Sequence, residues 1–264
     1  MPLIPHYSML GHGPLVLLLH GAGGGWRAFA PQVEVLASLG FRAVACDLPG
    51  YGRSAPVEPY AFKGLAAGCA ALIESLAPVT GGAPVAVVGH GLGGMLAQEL
   101  ALRRPELVRQ LVLVATAAAV LPGDAYARHI AQCLAWLDEG RAPADIAGTL
   151  VERLAGPGAL PAGLQLASWC QSQVPAATWR RALLAMQAFD RRAALAGLHV
   201  PTLLVAGEQD RVAPPEAMQA MATAIGGSGL FTLPGIGHLP HLEAPDEFGE
   251  LLVEFLRGTR AQLH

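Results

Sequence analysis

One stretch constrains the fold more than any other: Val85-Ala86-Val87-Val88-Gly89-His90-Gly91-Leu92-Gly93-Gly94-Met95. It opens with a short apolar run that suits a strand buried on both faces. Glycines then allow a reversal within a few residues, and Ala97-Gln98-Glu99-Leu100-Ala101-Leu102 continues as a helix. A turn this sharp forces its central residue into a strained backbone conformation and lifts any side chain above the sheet. Gly91 stands at that centre. It accepts the conformation without a Cβ clash, relieving strain of roughly 1–3 kcal/mol, but it brings no side chain for chemistry.

The same strand–turn–helix pattern recurs along the chain. Pro14-Leu15-Val16-Leu17-Leu18-Leu19 is a continuous apolar run ending in His20-Gly21-Ala22-Gly23-Gly24-Gly25-Trp26. A helix over residues 29–39 and a strand over 41–46 follow, the latter running into Asp47-Leu48-Pro49-Gly50-Tyr51-Gly52-Arg53-Ser54. Residues 62–76 read as a helix and 108–115 as a strand, and the first ten residues suit an edge strand. Apolar strands alternating with helices predict an α/β fold, a mostly parallel central sheet covered by helices on both faces. Sites in such sheets lie at the carboxyl ends of the strands. From residue 120 to 197 the strand pattern stops. Four helices are expected there, near 124–137, 143–154, 160–173 and 176–189, separated by Gly and Pro breakers. Strands at 201–206 and 229–233 and helices at 214–225 and 245–257 complete the chain. The expected organisation is a core of residues 1–119 and 198–264 interrupted by a helical lid over 120–197.

At 264 residues with 53% hydrophobic content, the chain is large enough for one substantial core. A net charge of −3 without a basic run argues against nucleic acid as a partner. Cys46, Cys69, Cys133 and Cys170 form no CxxC pair, so buried free thiols in a reducing compartment are expected. The first residues show no secretion signal, and no apolar run reaches membrane-spanning length. These features together predict a cytoplasmic protein with no membrane partner. They leave the oligomeric state open.

The stretch around Gly91 resembles the G-x-S-x-G nucleophile elbow of the α/β-hydrolase family, with its flanking glycines at Gly89 and Gly93 and Gly91 in place of the serine. Four further motifs carry the resemblance. His20-Gly21-Ala22-Gly23 is similar to the family's HGxG loop, and Asp47-Leu48-Pro49-Gly50-Tyr51-Gly52-Arg53-Ser54 to its D-x-P-G-x-G-x-S loop. Gly207-Glu208-Gln209-Asp210 resembles the loop of the catalytic acid, and Gly235-Ile236-Gly237-His238 that of the catalytic histidine. Their order, elbow then acid then histidine, is the order of the fold. The likeness spans the whole chain and leans toward the small carboxylesterase and enol-lactonase branch.

The resemblance implies a catalytic triad of a serine nucleophile, here Gly91, with Asp210 and His238. The histidine takes the serine's proton and returns it to the leaving group, while the carboxylate fixes the imidazole tautomer. The oxyanion hole falls to the backbone N–H groups of Ala22 and Leu92, which need no side chain. His20 is expected to buttress the oxyanion loop, His90 to pack at the turn, His241 to be structural, and Asp47 to tie its own loop together. Trp136, Trp169, Trp179, Met186 and Phe189 are candidates for lining an apolar pocket in the lid. No metal and no cofactor is implied.

Gly91 leaves three functions open. One is a hydrolase of small to medium apolar esters or lactones, working by Ser-His-Asp acyl transfer, with its serine replaced. Another is a natural nucleophile-free enzyme in which His238 is the general base for water activation, lyase or cofactor-free oxygenase chemistry. The third is a non-catalytic pseudoenzyme that binds a ligand. Ser54, Cys46 and Cys69 are not expected near His238, so none of them substitutes for the missing hydroxyl.

Overall fold

A computed structural model describes residues 3–258 of the chain. The outer limits of the expected core segments, at residues 1 and 264, lie outside these. Seven strands form one sheet: β1 (Tyr7–Leu10), β2 (Leu15–Leu19), β3 (Arg42–Cys46), β4 (Val85–His90), β5 (Val108–Val114), β6 (Thr202–Gly207) and β7 (Gly229–Leu233). Their order is β1-β3-β2-β4-β5-β6-β7. β1 runs antiparallel to β3 at the edge, and every other pairing is parallel.

The apolar runs read from the sequence are continuous because both faces of the sheet are covered. On one face Leu17, Leu19, Val44 and Val87 join a core with α2 (Phe62–Ser75) and α4 (Leu92–Arg103). On the other, Val16, Leu18, Ala86 and Val88 meet α1 (Ala30–Ser38) and α11 (Pro245–Leu256). Leu17, Leu18 and Leu19 are wholly buried, each contributing about 1.5–3 kcal/mol of transfer free energy. Short helical turns α3 (Ala77–Thr80) and α10 (Pro240–Glu243) sit in connections, and α9 (Pro215–Ala224) joins β6 to β7.

Between β5 and β6 the chain forms α5 (Ala125–Asp138), α6 (Pro143–Leu154), α7 (Pro161–Ser172) and α8 (Ala176–Gln187). These match the four helices expected from the sequence to within a few residues. α5 opens at Asp124, whose carboxylate accepts the Ala127 N–H at 2.6 Å, an N-cap that satisfies an otherwise unpaired donor. Among the described residues no helix is long and apolar enough to cross a membrane.

The strand order reverses between β2 and β4. The loops that leave their carboxyl ends therefore diverge and open a crevice, the usual place for a site in such a sheet. Crossing glycines hold the two strands' exits close together. A Cβ on Gly93 would lie 2.0 Å from the Leu19 carbonyl oxygen, and one on Gly89 would lie 2.2 Å from the Gly93 oxygen. Backbone cannot yield to a methyl group there. Gly93→Ala is expected to cost roughly 3 kcal/mol or more in urea unfolding. Gly148→Ala, on an exposed turn of α6 with open space around it, should instead stabilise by about 0.5–1 kcal/mol.

Candidate active site

The elbow delivers Gly91 between β4 and α4 with φ +52° and ψ −113°. Its backbone is held on both sides by the end of β5. The Gly91 N–H donates to the Val114 carbonyl at 3.0 Å, and the Thr116 hydroxyl donates to the Gly91 carbonyl at 2.7 Å. None of these bonds involves a side chain at position 91. The conformation therefore persists with glycine, whereas an L side chain would be strained there.

The loop after β2 is fixed from beneath. His20 Nδ1 donates to the Gly21 carbonyl at 2.8 Å, and its Nε2 accepts the Leu48 N–H at 3.0 Å, which defines the tautomer. The Tyr51 hydroxyl donates to the Ala22 carbonyl at 3.0 Å. Asp47 does more than tie its own loop. Its carboxylate accepts the Arg53 N–H and also the Trp26 N–H at 3.0 Å, joining the two glycine-rich loops. Ala22 and Leu92 both line the cavity over Gly91. Leu92 is the first residue of α4, so its N–H has no acceptor within the helix.

The structure brings Asp210 and His238 together. His238 Nδ1 lies 2.8 Å from Asp210 Oδ2, and both residues are buried. Asp210 Oδ1 accepts the N–H groups of Val212 (2.7 Å) and Ala213 (3.0 Å). Burial alone would raise the Asp210 carboxyl. The charge and hydrogen bond of His238, with the two backbone amides, outweigh that and hold it below the usual carboxylate range.

Glu243, which sequence reasoning overlooked, frames the histidine. Its fully buried carboxylate accepts the N–H groups of Gly237 and Leu239 on either side of His238, and of Gly156 beyond α6, each at 2.8 Å. The His238 N–H donates to the Leu154 carbonyl, also at 2.8 Å. The histidine loop is thus stapled to the four-helix segment. His90 Nε2 donates to the His238 carbonyl at 2.8 Å, so the histidine beside the elbow helps orient the one opposite.

A cavity of about 70 Å³ lies above Gly91. Its floor is formed by Ala22, Gly91, Leu92 and His238, and its roof by Tyr126, His129, Leu150, Leu154, Trp179 and Met186. Of the five candidate lining residues, Trp179 and Met186 face it. The other three do not: Trp136 lies under Arg141 and Arg153, Phe189 packs on Phe62, and Trp169 is half-exposed, with Arg27 over its ring. Cys46, at the end of β3, and Cys69, on the buried face of α2, are free thiols in the core between them. Ser54 donates to the Asp47 carbonyl at 2.6 Å. None of the three lines the cavity. Among the described residues no group of three or more His, Cys, Asp or Glu is placed to hold a metal ion.

Tyr126 and His129 also went unnoticed in the sequence. They sit three residues apart on α5, a spacing that puts them on one helix face. Nothing in the local pattern distinguishes that face from an ordinary core-packing one.

With this geometry in view, comparison with known proteins is decisive about ancestry. Residues 16–251 match the family model described as "Alpha/beta hydrolase family", and the chain belongs to that family. It is 32% identical over 265 residues to the pimeloyl-[acyl-carrier protein] methyl ester esterase of Xanthomonas campestris, covering 95% of this chain and 98% of that one. Among solved structures it resembles a thermophilic esterase from Thermogutta terrifontis, with a TM-score of 0.84 and 28% identity over 96% of this chain and 93% of the other. The enol-lactonase from Burkholderia xenovorans superposes with a TM-score of 0.81 at 25% identity, covering 96% of both.

The buried histidines predict a pH dependence of stability. Burial pushes the His90 imidazole down to about 3, with the nearby His238 adding to the shift, and it pushes His241 well below the ordinary value. Both fold neutral, while in the unfolded chain they gain a proton near pH 6.5. Their contribution is complete above pH 6.5 and is lost as pH falls below it, at up to about 1.4 kcal/mol per unit for each. Melting temperature should therefore drop between pH 7 and pH 5, and His241→Asn should flatten that slope.

Proposed function

We propose that the chain binds a small to medium apolar ester or lactone over Gly91, within the acyl-transfer apparatus of a serine hydrolase whose nucleophile position holds glycine. The observation that carries this reading is the 2.8 Å contact of His238 with Asp210 at a cavity that Gly91 also lines. His238 is the general acid and base. Asp210 fixes its tautomer and stabilises the imidazolium. The N–H groups of Ala22 and Leu92 receive the developing oxyanion.

The esterase and enol-lactonase relatives support a carboxylic ester or lactone as the bond attacked, and the apolar roof supports an apolar acyl group. In this reading α5 to α8 form a lid, residues 120–197, over a core of residues 1–119 and 198–264. The protein acts on a small molecule in the cytoplasm, where buried thiols stay reduced. A second reading, His238 working without a protein nucleophile, is favoured by the Tyr126 hydroxyl that overhangs Gly91.

Restoring the serine tests the first reading. Gly91→Ser should raise kcat on p-nitrophenyl butyrate by roughly four to six orders of magnitude and create a site that a fluorophosphonate labels. It should also lower the melting temperature by several degrees, because the new side chain takes the strained conformation. A Gly91→Ser protein that neither labels nor turns over would show that the cavity is not an acyl-transfer site.

A further inference from the structure

Tyr126, near the start of α5, is almost wholly buried, and its hydroxyl has no hydrogen-bond partner among the described residues. That oxygen is aimed at the elbow. A Cβ built on Gly91 would lie 3.3 Å from Tyr126 Oη, nearer than any other group it would meet. The ring stands edge-on to His238, with centroids 6.0 Å apart. The phenol therefore projects into the space a nucleophile would occupy, beside the base that would activate it.

A buried hydroxyl without a partner is destabilised by about 1–3 kcal/mol. An oxygen arriving between Tyr126, Gly91 and His238 recovers that energy. At an ordinary O–H···O length of about 2.8 Å from the phenol, and in van der Waals contact with the Gly91 Cα, such an oxygen lies in the cavity that Gly91, Tyr126 and His238 all line. Burial, reinforced by the nearby Asp210 charge, holds the phenol well above its usual range, so Tyr126 stays protonated and serves as a hydrogen-bonding group rather than as a nucleophile.

We propose that the Tyr126 hydroxyl seats a water molecule in place of the missing serine oxygen, and that His238 activates this water so that the chain hydrolyses esters as it stands. The inference rests on the reading of the cavity as an ester site. The water gives a proton to His238 Nε2 while its oxygen bonds to the carbonyl carbon. The carbonyl π pair moves to the oxyanion held by the Ala22 and Leu92 amides. When the intermediate collapses, the bond to the alcohol oxygen breaks, and that oxygen takes the proton back from His238. Ester and water become acid and alcohol in one displacement, with no acyl-enzyme.

The test places Tyr126→Phe in two backgrounds, the unaltered chain and Gly91→Ser, with p-nitrophenyl acetate as substrate and thermal melts on every protein. In the unaltered chain, turnover should exceed that of His238→Ala at least about tenfold, and Tyr126→Phe should lower kcat about tenfold with little change in KM. In the Gly91→Ser background the effect should be smaller. There the serine supplies the attacking oxygen and the seat is unused, so Tyr126→Phe should cost clearly less in kcat than it does in the unaltered chain. Melts should be little changed by Tyr126→Phe, since the hydroxyl bonds no other protein group among the described residues and its only proposed partner is the exchangeable water.

Equal losses in the two backgrounds would assign Tyr126 a merely structural role and overturn the proposal. So would an unaltered chain no faster than His238→Ala, or one indifferent to Tyr126→Phe. Fluorophosphonate labelling of Gly91→Ser separates the two levels. Labelling without a Tyr126 effect removes the water seat and leaves the ester site standing, whereas failure to label removes the ester site itself.

Discussion

The close crossing of β4, its turn and α4 against the end of β2 is the constraint on which the remaining structure depends. Leu19, Gly89 and Gly93 meet at backbone distances that admit no Cβ. That contact sets the separation of the two strand exits at which the order of the sheet reverses. It sets residue 91 above the carboxyl end of β4 and brings the start of α4 beside the cavity. Side-chain packing could be rearranged at modest cost, but two carbonyl groups and a turn cannot be moved apart without moving the strands.

Around this crossing, buried polar groups are satisfied largely by backbone amides. Asp47 joins the two glycine-rich loops, Asp210 caps its own loop while holding His238, and Glu243 gathers amides from either side of His238 and from the end of α6. Each carboxylate links segments that are far apart in the chain. In a low-dielectric surrounding such networks are stabilising only when complete, and a lost donor leaves a buried acceptor exposed to its full desolvation cost. Rigidity at the site follows from that condition. The roof is different in kind: it is mostly apolar side chains from four helices, which can be exchanged without disturbing the loops below.

Much of this was legible in the residues. The strands and helices fall within a few positions of where apolar runs and Gly/Pro breakers place them, and the loops bearing Ala22, Asp210 and His238 each follow a strand as the motifs require. His20, His90 and His241 are buried, with His20 and His90 bonded to the site loops. The roof was less legible. Trp136, Trp169 and Phe189 look like pocket residues by type, yet Trp136 packs within the helical segment, Phe189 packs onto α2, and Trp169 is half-exposed. An apolar side chain on a helix carries no mark of which neighbour it will meet.

What the sequence determined by itself was everything encoded in contiguous residues: the alternation of strand and helix, the glycines where backbones must touch, and the order of elbow, acid and histidine. The tertiary structure alone decided which distant groups share the cavity. Tyr126 overhangs Gly91 from a different element, and Glu243 reaches Gly156 across 87 positions of chain. Local sequence specifies local conformation because backbone sterics and burial act on neighbouring residues. The meeting of a phenol, a glycine and an imidazole depends instead on how whole helices dock, and many different apolar sequences can satisfy that docking.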